Sequence, residues 1–177
     1  TMWALNDIVK SGKALYVGLS NYDGETMLKA TEILNDLKCP FVINQNRYSI
    51  LDRTIENNGL LNAVNQAKKG LIIFSPLAQG LLTNRYFNGI PNDSRVKTDG
   101  RFLSEKSLSY EMLEKLKKLD NIAKNRGQTL AQMALSWVYS KQGVTSVLIG
   151  ASKPAQILEN LEMTKNSTFT LDELQAI

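Results

Sequence analysis

Four short, continuous apolar runs, separated by longer amphipathic stretches, set the tightest limit on what this chain can fold into. The runs occupy 14–19 (ALYVGL), 41–43 (FVI), 71–74 (LIIF) and 147–149 (VLI). Continuous runs of this length suit strands buried on both faces, whereas half-buried strands alternate. Between them, Met27, Ala30, Ile33, Leu34 and Leu37 recur at helical spacing, as do Leu60, Leu61, Val64 and Ala67 ahead of Gly70. A third stripe runs through Met112, Leu113, Leu116, Leu119, Ile122 and Ala123 and stops at Gly127. Glycine after the last periodic residue is a common helix stop. Thr129 with Gln132, and Thr170 with Glu173, have the spacing of capping boxes, and Pro154 suits a first helical turn.

Strand–helix alternation predicts an α/β fold with a parallel sheet. Doubly wound and barrel arrangements both satisfy it. No GxGxxG follows the first strand, so the common dinucleotide fingerprint is absent. Polar residues follow each run: Ser20 and Asn21, then Asn44, Gln45 and Asn46, then Ser75, then Ser152. In a (β/α)8 TIM barrel these would line the carboxyl-end rim, where barrel sites are built. Loops are also polar for their own reasons, and both readings stand at this point. The stretch 75–108 is too long for an ordinary connector, which leaves a binding loop or disorder. Its apolar start, Pro76-Leu77-Ala78, favours a binding loop.

The 177 residues suffice for one domain, expected over 1–177. No apolar run nears the roughly 20 residues of a membrane span, so no membrane partner is expected. The start reads without a basic segment and cleavage site, and Cys39 is alone, so a cytoplasmic, reducing setting is expected. The net charge of +4 is dispersed rather than gathered in a stripe, which argues against nucleic acid. With no histidine, a Ser-His-Asp triad, a Cys-His pair and most zinc sites are excluded within these residues, and no metal site is expected.

Several segments, in order, resemble the aldo-keto reductase family. Residues 12–22 (GKALYVGLSNY) resemble its fifth barrel strand, and 45–49 (QNRYS) the end of the sixth. Residues 74–83 (FSPLAQGLLT) resemble the seventh strand and its cofactor loop. Ile149, Gly150, Ala151 and Ser152, with Gln156, Glu159 and Asn160, resemble the eighth strand and its helix. Within the family, 88–95 (NGIPNDSR) and 128–137 (QTLAQMALSW) are most similar to the branch of glyceraldehyde-3-phosphate reductase-like enzymes and potassium-channel β-subunits. The resemblance implies a half-barrel supplying strands five to eight.

It also implies NADPH/NADP as cofactor and a small carbonyl compound as substrate. Ser20, Asn21 and Gln45 would hydrogen-bond the nicotinamide carboxamide, and Phe74 would stack on its ring. Ser75, Pro76, Leu77, Ala78 and Gln79 would cover the pyrophosphate, with 75–108 as the cofactor-covering loop. Arg85 and Arg95 would reach the phosphates. Gly150, Ser152 and Lys153 would hold the 2′-phosphate, and Gln156, Glu159 and Asn160 the adenosine. Each position also has a plain structural role open to it: turn and cap chemistry for the polar residues, core packing for Phe74, solvated charge for Arg85 and Arg95.

The family's proton donor is a tyrosine tuned by a lysine and an aspartate with a histidine nearby, all on the first four strands. None of the six tyrosines here matches that motif, so no catalytic residue is nominated. The expectation is a fragment of an oxidoreductase, inactive alone, whose partner is the missing amino-terminal half. Two alternatives stay open: a cofactor-binding regulatory β-subunit, and a self-contained small α/β binding domain. A half-barrel would leave open sheet edges near Tyr16 and Leu148, and these leave pairing into a homo-oligomer open as well.

Overall fold

The structure, a computed structural model, describes residues 1–100 and 103–177, with the side chain of Arg95 outside the description. They form two compact units. The first comprises Thr1–Tyr48, Asp52–Phe74 and Lys141–Leu148, and the second Ser49–Leu51, Ser75–Ser140 and Ile149–Ile177.

The first unit is a four-stranded parallel sheet with helices. In chain order it contains α1 (Met2–Lys10), β1 (Val17–Ser20), α2 (Gly24–Asp36), β2 (Phe41–Arg47), α3 (Thr54–Asn57), α4 (Leu60–Gln66), β3 (Gly70–Phe74) and β4 (Val144–Val147). The strands lie in the order β1-β2-β3-β4, all parallel. Asp23 caps α2 by accepting from the Thr26 amide at 2.8 Å. The apolar stripe of α2 buries Met27, Ala30 and Leu34, and α4 buries Leu60, Ala63 and Val64.

The strands depart from the sequence reading in three ways. Burial alternates along β1 and β3 instead of being continuous, because one face takes most of the packing: Val17 and Leu19 are buried on β1, Leu71 and Ile73 on β3. β2 runs on through Arg47, so Asn44, Gln45 and Asn46 are strand residues and not loop. Pairing on both sides, to β1 and β3, carries that backbone forward. β4 begins at Val144 rather than within 147–149. The ladder to β3 sets its register, and a shift there leaves Thr145 opposite no residue. The Thr145 hydroxyl accepts from the Leu71 amide at 3.1 Å and so occupies a donor that the shift frees. The helix α1 was not anticipated at all.

One row across the sheet positions what lies above it. Ile43 stands opposite Gly18 on β1 and Gly70 on β3. A Cβ on either glycine would come to 2.9 or 3.0 Å from the Ile43 side chain. The isoleucine therefore fills the space of three positions. With a side-chain period of two, Ser20, Gln45, Ile72 and Phe74 lie on that same face, nearer the carboxyl ends. Among the described residues β1 and β4 each pair on one side only, and Tyr16 and Leu148 beside those edges are exposed.

The second unit holds α5 (Arg95–Thr98), α6 (Tyr110–Asn125), α7 (Leu130–Tyr139), α8 (Pro154–Leu161) and α9 (Leu171–Ala176). Both anticipated capping boxes are formed, Thr129 with Gln132 and Thr170 with Glu173. The segment 75–108 is not structureless. It carries helical turns at Ala78–Gly80, Asn84–Tyr86 and Glu105–Leu108 in addition to α5. It also has its own apolar cluster of Leu81, Tyr86, Val96 and Leu103.

Arg126, whose side chain is 3% exposed, ties the end of the chain down. It donates to Glu173 at 2.6 Å, Gln128 at 2.9 Å, the Asn166 carbonyl at 3.1 Å and the Thr168 carbonyl at 2.9 Å. Its guanidinium carbon sits 3.8 Å from the centre of the Phe169 ring. Among the described residues no helix is long and apolar enough to cross a membrane.

Three expected outcomes follow from this packing. Arg126→Ala should lower stability by about 2–4 kcal/mol, since it orphans buried carbonyls and a carboxylate. Denaturant unfolding measures it, and a loss within ~0.5 kcal/mol would remove the clamp. The Thr170 amide, followed by Arg126, holds the Glu173 carboxyl below its ordinary value. That contribution is present above the unfolded carboxylate's pKa and is lost as pH falls through the folded one, so the clamp should loosen on the acid side. Gly24→Ala should cost about 1–3 kcal/mol by forced overlap. The added Cβ would lie 2.5 Å from the Gly59 carbonyl oxygen, which is backbone and cannot swing away. Gly150→Ala, where nothing among the described residues lies within 4 Å and φ is not left-handed, is the neutral control in the same assay.

Candidate functional site

At the carboxyl end of the sheet in the first unit, the Gln45 carbonyl gathers the end of β1. It accepts from the Asn21 amide at 2.9 Å and from the Ser20 hydroxyl at 3.1 Å. Asn21 takes this position with φ of 60°, a left-handed conformation that asparagine tolerates better than most residues. Among the described residues neither the Asn21 nor the Gln45 side-chain amide makes a hydrogen bond.

Asn21 and Phe74 line a cleft of about 390 Å³. Asn46, Arg47, Asp52, Thr54 and Asn58 complete most of its wall. Of these five the sequence reading named only Asn46, as a rim residue, and gave none of them a binding role. Arg47 donates to Asp52 at 2.6 Å. Burial disfavours the Asp52 anion, but hydrogen bonds from the Thr54 hydroxyl and amide, and the Arg47 charge, outweigh it and keep the carboxyl below the usual range. The Asp52-to-Thr54 spacing is a turn signal that sequence could have offered. The sequence reading placed the end of this strand within 45–49, but the approach of Arg47 to Asp52 is a contact that it did not show. Behind the cleft, the buried Asn44 amide donates to Asn46 at 2.6 Å, and Asn46 donates to the Tyr22 carbonyl at 3.2 Å. Among the described residues the buried Asn44 Oδ1 atom has no hydrogen-bond partner.

In the second unit, Ser75 through Gln79 form a tight turn. The Ala78 amide donates to the Ser75 carbonyl at 2.9 Å, and the Gln79 side chain donates to the Ser75 hydroxyl at 3.2 Å. Leu77 is right-handed, with φ of −96°, while Ala78 and Gln79 are left-handed at 48° and 61°. This right-then-left order is the backbone pattern that turns successive N–H groups toward one anion. With Ser75 at φ of 52° as well, left-handed backbone at three non-glycine residues costs about 1–2 kcal/mol each. Pro76 is buried and Leu77 half-buried in this turn.

Arg85 lies against a carboxylate, 2.7 Å from Asp93. The Arg85 hydrogen bond, and more weakly the Lys153 charge, hold Asp93 below the usual carboxylate range. Arg95 opens α5, and its side chain lies outside the described residues.

The start of α8 is organised by Gln156. Its Oε1 accepts from the Ser152 amide at 2.8 Å, the Ser152 hydroxyl at 3.2 Å and the Lys153 amide at 3.1 Å. The exposed donors at a helix start favour such an acceptor, as they would an anion. Gly150 is exposed, with open space around it. Glu159 is exposed and accepts through its carbonyl from Gln132 at 3.0 Å, whereas Asn160 is buried.

The first unit thus brings Ser20, Asn21, Gln45 and Phe74 to one end of its sheet. The second brings Gly150, Ser152, Lys153 and Gln156 to one helix start, and Ser75 to Gln79 into one turn. Among the described residues no group of three or more His, Cys, Asp or Glu side chains is placed to hold a metal ion.

The likeness to known proteins extends along the whole chain. The model of the aldo/keto reductase family matches residues 1–177. L-glyceraldehyde 3-phosphate reductase of Escherichia coli K12 is 47% identical over 180 residues, and that of E. coli O157:H7 is 46% identical. Each alignment covers all of this chain and 52% of the relative. A probable voltage-gated potassium channel subunit beta of rice, Oryza sativa subsp. japonica, is 35% identical over 92% of the chain and 50% of its own length. The chain spans about half the length of these curated relatives, and it belongs to the aldo/keto reductase family.

Proposed function

We propose that the protein carrying this chain reduces aldehydes and ketones to alcohols with NADPH, and that these residues supply most of its cofactor site. On this reading they are strands five to eight of a (β/α)8 barrel, with the amino-terminal half as their structural partner. The observation that carries the proposal is the grouping of Asn21, Gln45 and Phe74 at the carboxyl ends of adjacent parallel strands.

The chemistry of the residues, taken unit by unit, suits the parts of a nicotinamide dinucleotide. The two side-chain amides, free of hydrogen bonds among the described residues, offer both the donors and the acceptors that a carboxamide requires. Phe74 gives a ring an apolar face and restricts approach to one side. The Ser75–Gln79 turn and the start of α8 offer backbone N–H groups for phosphate oxygens. Gln156 already holds the latter with a neutral oxygen that an anion can replace. Arg85, Arg95 and Lys153 add charge, and the loop 75–108 covers the pyrophosphate. Glu159 and Asn160 take the adenosine.

When bound, the nicotinamide supplies the hydride. This chain's part is to orient the ring through Ser20, Asn21, Gln45 and Phe74 and to hold the phosphates. The proton for the developing alkoxide comes from outside these residues. Tyr48 does not suit the task. Burial, then its hydrogen bond to Glu56, pushes its hydroxyl well above the ordinary value and makes it a poorer acid than free tyrosine. The likeness to a probable channel subunit beta of rice favours a second reading, in which the chain belongs to a regulatory subunit; that subunit would bind cofactor without turning over a carbonyl. Carbonyl turnover by the complete protein excludes it.

Dissociation constants at fixed salt should be lower for NADPH than for NADH, and equality would remove the 2′-phosphate assignment. Gln45→Ala should weaken binding by about 1–3 kcal/mol, the cost of an unpaired buried amide. An unchanged constant would leave Gln45 as only a strand residue. These 177 residues alone should not oxidise NADPH with glyceraldehyde, because acid catalysis of this kind contributes roughly 10²–10⁴-fold. Turnover at the rate of an ordinary reductase would place the acid within them.

A further inference from the structure

Asn21 stands just past the end of β1 in a left-handed conformation, with φ of 60°. Backbone in that region persists where its surroundings hold it. Both flanks of Asn21 are held from β2. On one side, the Asn21 amide donates to the Gln45 carbonyl at 2.9 Å. On the other, the Tyr22 carbonyl accepts from the Asn46 side-chain amide at 3.2 Å. Two consecutive strand residues, one through its backbone and the next through its side chain, grip the turn on either side of Asn21. We propose, on the cofactor reading given above, that Asn46 is a positioning residue for the nicotinamide carboxamide, a group it does not itself touch: it fixes the turn that presents the Asn21 amide.

The Asn46 amide is oriented from behind. Asn44 and Asn46 share the face of β2 opposite Gln45, and are 0% and 6% exposed. Asn44 Nδ2 donates to Asn46 Oδ1 at 2.6 Å, which leaves Asn46 Nδ2 turned to Tyr22. A carbonyl oxygen can only accept, so the direction of this relay is set at its Tyr22 end. Reversing both amides would bring Asn46 Oδ1 against the Tyr22 carbonyl oxygen.

The relay sits where packing alone calls for apolar side chains. The residues paired with Asn44 on its two sides are Leu19 of β1 and Leu71 of β3, both buried. Asparagine in that row leaves its Oδ1 atom with no hydrogen-bond partner among the described residues, and a buried acceptor left open opposes folding. What the two asparagines add in return is the hold on Tyr22. The next part of the loop has anchors of its own: Asp23 caps α2, and the Gly24 amide donates to the Asn58 carbonyl at 3.1 Å. Those bonds fix the start of the helix, so loss of the Asn46 donor frees the turn at Asn21 and leaves α2 in place.

The test compares two ligands of the complete protein, NADPH and 2′-phospho-ADP-ribose, which lacks the nicotinamide. Asn46→Leu, close in size and without a donor, should weaken NADPH about tenfold and leave the nicotinamide-free ligand within about twofold, as expected for one hydrogen bond's worth of positioning. A purely structural role would weaken both ligands alike. In an Asn21→Ala background, Asn46→Leu should weaken NADPH no further, because it acts through Asn21. Should the Asn46→Leu protein not fold, Asn44→Leu, which removes the orienting donor and matches its leucine neighbours, must show the same selective loss. Equal weakening of both ligands, additive effects of the two substitutions, or unchanged NADPH affinity where Asn21→Ala weakens it, would overturn the proposal. If Asn21→Ala itself leaves NADPH affinity unchanged, the carboxamide reading fails, and the role of Asn46 falls with it.

Discussion

In a parallel sheet every strand finishes at the same edge, so the pairing of β1, β2 and β3 decides what meets there. The register aligns Ser20 with Gln45, and Arg47 with Phe74. A one-residue slip of β2 would send Gln45 to the other face and bring Asn44 or Asn46 in its place. Ile43 guards against that slip. It lies over Gly18 and Gly70, and any neighbouring strand with a side chain at either position would have to move. The arrangement of the strand-end groups therefore depends on one isoleucine between two glycines.

Polar groups in this chain are stabilised in two different ways. Near the first cleft, Asp52 is ionised against the cost of burial by hydrogen bonds from Thr54 and Arg47, and Asn46 links Asn44 to the Tyr22 carbonyl. In the second unit, Arg126 gathers the carbonyls of Asn166 and Thr168 together with Glu173. The second case is the more costly to disturb, because a nearly fully buried guanidinium stays charged and has no neutral form to retreat to. The strained Ser75–Gln79 turn and the strand-end amides show the opposite economy. The turn holds left-handed backbone, and the Asn21 and Gln45 side-chain amides make no hydrogen bond among the described residues.

Much of this was legible in the sequence, and the reason is range. Helix signals act over three or four residues, so Thr129 with Gln132, Thr170 with Glu173, Pro154 and the α2 and α6 stripes gave the right elements. Alternation of strand and helix gave the parallel sheet. The ordered segments around Ser20, Gln45, Phe74 and Gly150 pointed to the family.

What the sequence determined by itself was the kind of the main strands and helices and the family to which the chain belongs, because both are written in local pattern. Only the tertiary structure decided the extent of β2, the displacement of β4 to Val144 and the groups that meet across distance. Leu71 and Thr145 are 74 positions apart, and Arg126 and Glu173 are 47 apart. The cluster of Tyr48, Arg53, Glu56 and Lys141 likewise joins the end of β2, α3 and the approach to β4. No periodicity links such residues. Strand ends and long-range pairs are fixed by what lies alongside, since a backbone extends as far as its neighbours supply hydrogen bonds and a charge settles where another chain segment brings its counterpart.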